Sequence, residues 1–277
     1  MDMLNKQDNG TDAKAGGVVY YDGTWPGFLL LLGEMAQGMV PWDCTIIAEG
    51  YGQPANGIPG NVIDSNGIHQ TGLGNIRNKA IKTGARALAD RLGRRRMGMV
   101  RLCHASRLPN IERMIIDFYR SVGENRGDGH LLLELEKTAR RVGLETHRYL
   151  GILRFHMLEK GVLYGPMEPD FPVAGLVAAK MDRRRIGARW VIHDVKRNQA
   201  VWRFDAFRGS GSGDECAAAL GINFHTALTG RELEIREQWQ AYFDHASIES
   251  RSNKKQQDGY LPARYRSYLP EFFDKPS

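Results

Sequence analysis

The stretch Gly151–Arg203 decides the fold, and it begins Gly151-Ile152-Leu153-Arg154-Phe155-His156-Met157-Leu158-Glu159-Lys160-Gly161-Val162-Leu163-Tyr164. Leu153, Phe155 and Met157 alternate with Arg154 and His156. A period of two marks a strand with one buried face. Glu159-Lys160-Gly161 supplies a turn and Val162 to Tyr164 return, which completes a hairpin. Trp190 to Val195 and Ala200 to Phe204 form a second hairpin around Arg197-Asn198-Gln199. Between the two, Val173 to Met181 has helical spacing.

Upstream of the hairpins the period is helical. Leu131 to Leu150 places Leu135, Ala139, Val142 and Tyr149 inward and Lys137, Arg140, Arg141 and Arg148 outward. Pro109 opens an earlier helix with Ile111, Ile115, Phe118 and Val122 at core spacing. Near the start, Val18 to Tyr21 reads as a short strand closed by Asp22-Gly23. Thr24 then caps a helix carrying Phe28, Leu29, Leu32 and Met35. Downstream, Gly209-Ser210-Gly211-Ser212-Gly213 reads as a flexible link. Thr229 and Glu232 form a capping box before a last helix whose buried side is Ile235, Trp239, Tyr242 and Ala246.

The expected fold is therefore α+β: a mostly antiparallel sheet from the first strand and the two hairpins, packed with helices. The expected organisation is a disordered tail over 1–17, a core over 18–206 and a link over 207–225. A C-terminal helix and basic tail over 226–277 pack on the core. Glycine-rich Gly50 to Gly74 reads as a long loop.

The 277 residues carry a net charge of +6 with a pI near 9.2. A basic balance is compatible with nucleic acid but equally with a plain soluble surface. Cys44, Cys103 and Cys216 lie far apart with no CxxC pair. This suggests neither a disulfide framework nor an iron–sulfur cluster, and fits a reducing cytoplasm. The longest purely apolar run, Phe28 to Leu32, is far too short to span a bilayer, so no membrane partner is expected.

Between Arg77 and Arg107 stand ten Lys or Arg residues against one acid, Asp90. The cluster Arg94-Arg95-Arg96 within it is the best local candidate for phosphate contact. A solvated helix face explains it as well.

For chemistry, Arg154 and His156 share a strand face and can form an anion site, or else a strand edge against a neighbouring helix. Glu168-Pro169-Asp170 offers two carboxylates, for acid–base or metal work or for capping a helix. His193 and Asp194 are adjacent in a strand, so they point to opposite faces and cannot form a dyad. His193 keeps the company of a satisfied core histidine. The eight histidines show no metal-ligand spacing, so no metal or cofactor is expected.

Taken in order, Gly151 to Phe155, Leu163-Tyr164-Gly165-Pro166-Met167-Glu168-Pro169-Asp170 and Trp190-Val191-Ile192-His193-Asp194-Val195-Lys196-Arg197 resemble the core motifs of a bacterial family of DNA-metabolism and DNA-repair proteins. Tyr20 to Thr24 and Phe28-Leu29 resemble its opening. Trp239 to Phe243 resembles its late helix, and Leu261-Pro262-Ala263-Arg264-Tyr265 with Leu269-Pro270-Glu271 its closing motif. Arg266 stands where that motif usually has an aromatic. Members are typically encoded beside a radical-SAM protein with a helix-hairpin-helix region, and the domain also occurs fused to uracil-DNA glycosylase-like domains.

The resemblance implies a DNA partner and a radical-SAM partner, which would carry any radical chemistry. It turns His156, Glu168, Asp170, His193 and Asp194 into catalytic candidates. Arg154, Arg197, Arg264 and Tyr265 join Arg94, Arg95 and Arg96 as nucleic-acid candidates. The leading expectation is a DNA-binding accessory protein. The alternatives are an enzyme acting directly on nucleic acid and a scaffold that binds only protein.

Overall fold

Strand β1, Val18–Tyr21, does not join the hairpins. It lies between β2 (Thr45–Ala48) and β3 (Asn61–Ile63) and pairs with both in parallel. Parallel neighbours need a crossover, and α1 (Trp25–Ala36) lies between β1 and β2 in the chain. The signal was in the composition of β1. Val-Val-Tyr-Tyr does not alternate, and its last three residues are all buried, as in a strand covered on both faces. β3 also places a strand inside the expected 50–74 loop.

The computed structural model describes residues 18–48, 61–63, 74–183, 189–205, 207–224, 230–246 and 253–272. The expected tail over 1–17, most of the glycine-rich loop, Thr229 of the capping box, and residues 247–252 and 273–277 lie outside them.

The described residues fall into two units. One runs to His104 and includes Leu108–Glu136; the other comprises Ala105–Arg107 and the residues from Lys137 on. The first holds the parallel sheet, α1, all but the last residue of α2 (Gly74–Ala105), and α3 (Ile111–Gly123). Its core includes Tyr21, Phe28, Leu31, Leu32, Leu88, Ile111, Ile115 and Ile116, each with at most 1% of its surface exposed. Tyr21 Oη donates to Glu112 Oε1 at 2.8 Å and lies 2.9 Å from His104 Nε2. Helix α2 breaks at Gly93, whose φ of 77° glycine adopts without strain. The break sets Arg94, Arg95 and Arg96 at the start of its second half.

The second unit is built on a five-stranded sheet of order β4-β5-β6-β7-β8: His156–Met157, Leu163–Met167, Arg189–Asp194, Gln199–Phe204 and Phe207–Ser212. Both expected hairpins are present, as β4–β5 and β6–β7. All pairings are antiparallel except β5–β6, which are joined through α5 (Ala174–Arg183). The α+β class therefore holds.

Two local readings change. Helix α4 (Gly129–Ile152) runs on to Ile152, leaving only His156–Met157 as strand where Leu153 to Met157 was expected. The expected Gly-Ser link is instead strand β8, followed at Gly213 by α6 (Gly213–Leu220). Gly209 is needed in β8 because a Cβ there would come within 2.3 Å of the Trp202 ring. The glycine makes room for an indole rather than for flexibility.

One face of this sheet packs Val162, Tyr164, Val191, Ala200 and Trp202 with Leu158 and Cys216, flanked by Ile222 and Phe224. Helix α5 packs on β6 and β7 and buries Val177, Ala178 and Met181. Helices α7 (Gly230–Ala246) and α8 (Lys254–Tyr260) follow, then a 3-10 helix over Ala263–Tyr268. In α7 the expected buried side is exposed: Ile235 by 44%, Trp239 by 38% and Tyr242 by 64%. The helix turns Glu232, Arg236 and Phe243 inward instead. The Glu232 carboxylate takes the Met157 N–H at 2.9 Å, so this residue serves β4. No helix among the described residues is long and apolar enough to cross a membrane.

Candidate functional site

The parallel strands β5 and β6 end side by side, with Met167 opposite Asp194. Beyond β5 the chain passes through Glu168-Pro169-Asp170-Phe171, and this loop is held from two sides. On one side Glu145 of α4 accepts the N–H groups of Asp170 at 2.6 Å and Phe171 at 2.8 Å. On the other, Arg197 donates from Nη1 to the Pro169 carbonyl at 2.9 Å and from Nη2 to the Asp170 carbonyl at 2.5 Å. Asp194, fully buried, holds that guanidinium through Oδ2 at 2.8 Å. One carboxylate thus takes the loop's donors and one guanidinium its acceptors.

The closing 3-10 helix completes the site. Tyr265 Oη lies 3.4 Å from Glu145 Oε1, and its ring meets Tyr149 edge-on at 5.4 Å. Tyr268 donates to Glu168 Oε1 at 2.6 Å. Burial raises the pKa of Glu145, against the pull of the two N–H groups it accepts. Burial likewise raises Asp194, with Arg197 pulling down. Tyr149 and Tyr268 are also raised, first by burial. The side chains of Glu168 and Asp170 stay exposed. The arrangement is a rigid loop that presents two carboxylates to solvent, with a tyrosine hydroxyl on one of them. It can accept hydrogen bonds from a ligand or exchange a proton with it.

Of the sequence candidates, Glu168, Asp170, Asp194, Arg197 and Tyr265 come together here. Asp194 and Arg197 act on the loop rather than on solvent. Tyr265 is only 4% exposed, so its ring packs against protein and is closed to a base, contrary to expectation. The side chain of Arg264 lies outside the described residues.

His193 belongs to the opposite face of β6, where Nδ1 lies 2.9 Å from Tyr164 Oη, as expected of a core histidine. His156 pairs with Tyr164, three residues before Met167 and on the other face, so it does not reach Asp194. Arg154 and His156 do share a direction, towards α7. The Arg154 guanidinium sits 5.8 Å from the Trp239 ring centre, and His156 Nδ1 lies 3.3 Å from Glu232 Oε1 and 3.0 Å from Arg236 Nη2. His156 is buried, however, so this is no open anion site.

Arg94, Arg95 and Arg96 belong to the first unit and are exposed; the Arg96 guanidinium lies 5.9 Å from the Phe118 ring centre. Among the described residues, no group of three His, Cys, Asp or Glu side chains could hold a metal ion.

The sequence reading missed Glu145, Tyr149 and Tyr268 as site residues. Glu145 had a signal. It falls between Val142 and Tyr149 on the inward face of α4, where a carboxylate must find donors.

Residues 106–271 match the model of a family described as a domain of unknown function, DUF4130. The chain belongs to this family. Every residue of the gripped-loop site, from Glu145 to Tyr268, lies within the DUF4130 segment. Strand β1, α1 and the whole of the basic helix α2 precede it, and so does the opening motif read at Tyr20 to Thr24. No curated protein and no solved structure matches the chain.

Proposed function

We propose that this DUF4130 protein binds DNA and serves DNA metabolism or repair beside a radical-SAM partner. The observation that supports DNA binding is the concentration of exposed basic residues along α2, before and after its break at Gly93. Lys82, Arg86, Arg94, Arg95, Arg96 and Arg101 are all exposed, and Asp90 is the single acid between Arg77 and Arg107. Such a concentration of cations neutralises phosphates and releases counterions. The ordered motifs between Gly151 and Glu271 are the support for a role in DNA metabolism and for the radical-SAM partner.

The test is duplex binding followed by fluorescence anisotropy across a salt series. Affinity falls steeply with salt, and the triple variant Arg94→Glu, Arg95→Glu, Arg96→Glu flattens the log–log slope by about 3. Absence of binding at low salt, alone or with the partner, defeats the proposal. Failure of the purified radical-SAM protein to bind the chain defeats the partnership alone.

The second reading, an enzyme acting on nucleic acid itself, has one observation in its favour: the gripped loop with Glu168 and Asp170 exposed. It requires turnover of a damaged oligonucleotide by the chain alone, lost in Glu168→Gln and Asp170→Asn with binding intact.

A further inference from the structure

Within the first unit, α2 lays one guanidinium on α3 from each side of its break. Before Gly93, the Arg91 guanidinium stands 4.3 Å from the Tyr119 ring centre; after it, that of Arg96 stands 5.9 Å from the Phe118 ring centre. On an unbroken helix these two arginines, five residues apart, would point about 140° away from each other. The backbone of Gly93, at φ 77° and ψ 163°, interrupts that phase and lets both reach α3.

Arg91 is the more closely seated of the two. A Cβ at Gly123, one turn beyond Tyr119 on α3, would come within 2.6 Å of Arg91 Cζ and 2.7 Å of Nη1. The glycine therefore leaves the slot in which the guanidinium lies. Tyr119 is buried, with Trp42 stacked against it at 5.8 Å, so the ring beneath is itself fixed. The donors of Arg91 nevertheless have no acceptor: the residue is exposed and makes no hydrogen bond or ion pair among the described residues. Glu124, next to the slot, is engaged by Arg120 at 3.8 Å and Arg126 at 2.9 Å. A guanidinium stacked on its face keeps its N–H groups at the edge, where they match two oxygens of one anion.

We propose that Arg91 is a preorganised phosphate ligand, held by Tyr119 and Gly123 to receive one phosphodiester of a DNA backbone, with Arg96 assisting across the break. It rests on the DNA-binding reading above and adds the side chain that is set in place beforehand. A free surface arginine must give up side-chain freedom to grip a phosphate, and Arg91 has already lost it to the ring and the slot. The surrounding charge favours a polyanion: Arg94 and Arg95 follow within four residues, both exposed, and Asp90 is the single acid between Arg77 and Arg107. The competing role is an arginine that only shields the Tyr119 ring, which a methionine would fill as well.

The test is binding of a blunt duplex of about 20 base pairs, followed by anisotropy across a salt series in three variants. Arg91→Met lowers the log–log salt slope by about 1 and weakens binding more than Arg94→Met, whose arginine has no seat. Gly123→Ala is the decisive variant. It keeps every charge and puts a better helix former in α3, so folding is retained while the guanidinium is pushed from its slot. The salt slope stays at the wild-type value and affinity falls about threefold.

Wild-type affinity in Gly123→Ala overturns the preorganised seat. Unchanged affinity and slope in Arg91→Met overturn any phosphate contact there and leave the arginine as a cover for the ring. In both cases duplex binding by the wild type leaves the DNA-binding reading standing. Wild-type protein that binds no duplex at low salt defeats both.

Discussion

Arg197 and Asp194 are joined twice, the guanidinium Nη1 donating to Oδ2 at 2.8 Å and the Arg197 backbone N–H to Oδ1 at 3.2 Å. The second bond closes the turn after β6. The first aims the guanidinium at the carbonyls of Pro169 and Asp170. The motif around β6 thereby fixes the loop after β5, across a parallel pair that is not contiguous in sequence.

Removing the cation should be costly, because Asp194 has no exposed surface. Arg197→Ala strands a buried carboxylate and two carbonyls, with an expected loss of about 3 kcal/mol. Arg197→Lys keeps the charge but not the planar fork, and should recover only part. Urea unfolding of the purified variants measures both. A loss below 1 kcal/mol in Arg197→Ala would show that the pair does not hold the loop (roughly the worth of an exposed ion pair).

Glu145 holds the same loop from the other side. Glu145→Ala leaves the N–H groups of Asp170 and Phe171 without their acceptor, at about 2–4 kcal/mol. Glu145→Gln keeps one acceptor oxygen and should cost about half as much. Amide hydrogen exchange at Asp170 and Phe171 should accelerate in Glu145→Ala. Unchanged protection there would rule out this anchoring role.

Much of this fold was legible because its sequence obeys one period at a time. The hairpins, the inward side of α4 and the core placement of His193 follow from alternation or helical spacing. The misreadings share a cause: local pattern was overridden by a partner distant in the chain. Gly209 to Gly213 resembles a linker until Trp202 lies across it. The apolar stripe of α7 resembles a core face until Glu232 and Arg236 bind β4 and turn it outward. The gripped loop was half legible. Its residues could be named from their motifs, but Glu145, more than twenty residues upstream, had no motif to connect it with Asp170.

The Trp202–Gly209 contact is testable in strand β8. A methyl at position 209 cannot fit while the indole stays in place. Gly209→Ala should destabilise by about 1–3 kcal/mol through overpacking. The double variant with Trp202→Leu should lose less than the two single changes added together, since they share one contact. Thermal melts of the four proteins decide it. Strict additivity would mean that the glycine and the indole are independent.

The anchor of α7 should respond to pH. His156 is 6% exposed, and its pKa is lowered first by burial and then by Arg236, with Glu232 pulling the other way. The folded protein therefore binds this proton less readily than the unfolded chain. The contribution to stability is full above the unfolded histidine value, about 6.5, and is lost as pH falls from there towards the folded value. Stability should drop between about pH 7 and pH 5.5, and His156→Gln, which cannot take the proton, should flatten that drop. The measurement is the urea midpoint of wild type and variant across this range. Parallel curves would assign the acid sensitivity to another group and leave Glu232 and Arg236 to anchor α7 without a titrating partner.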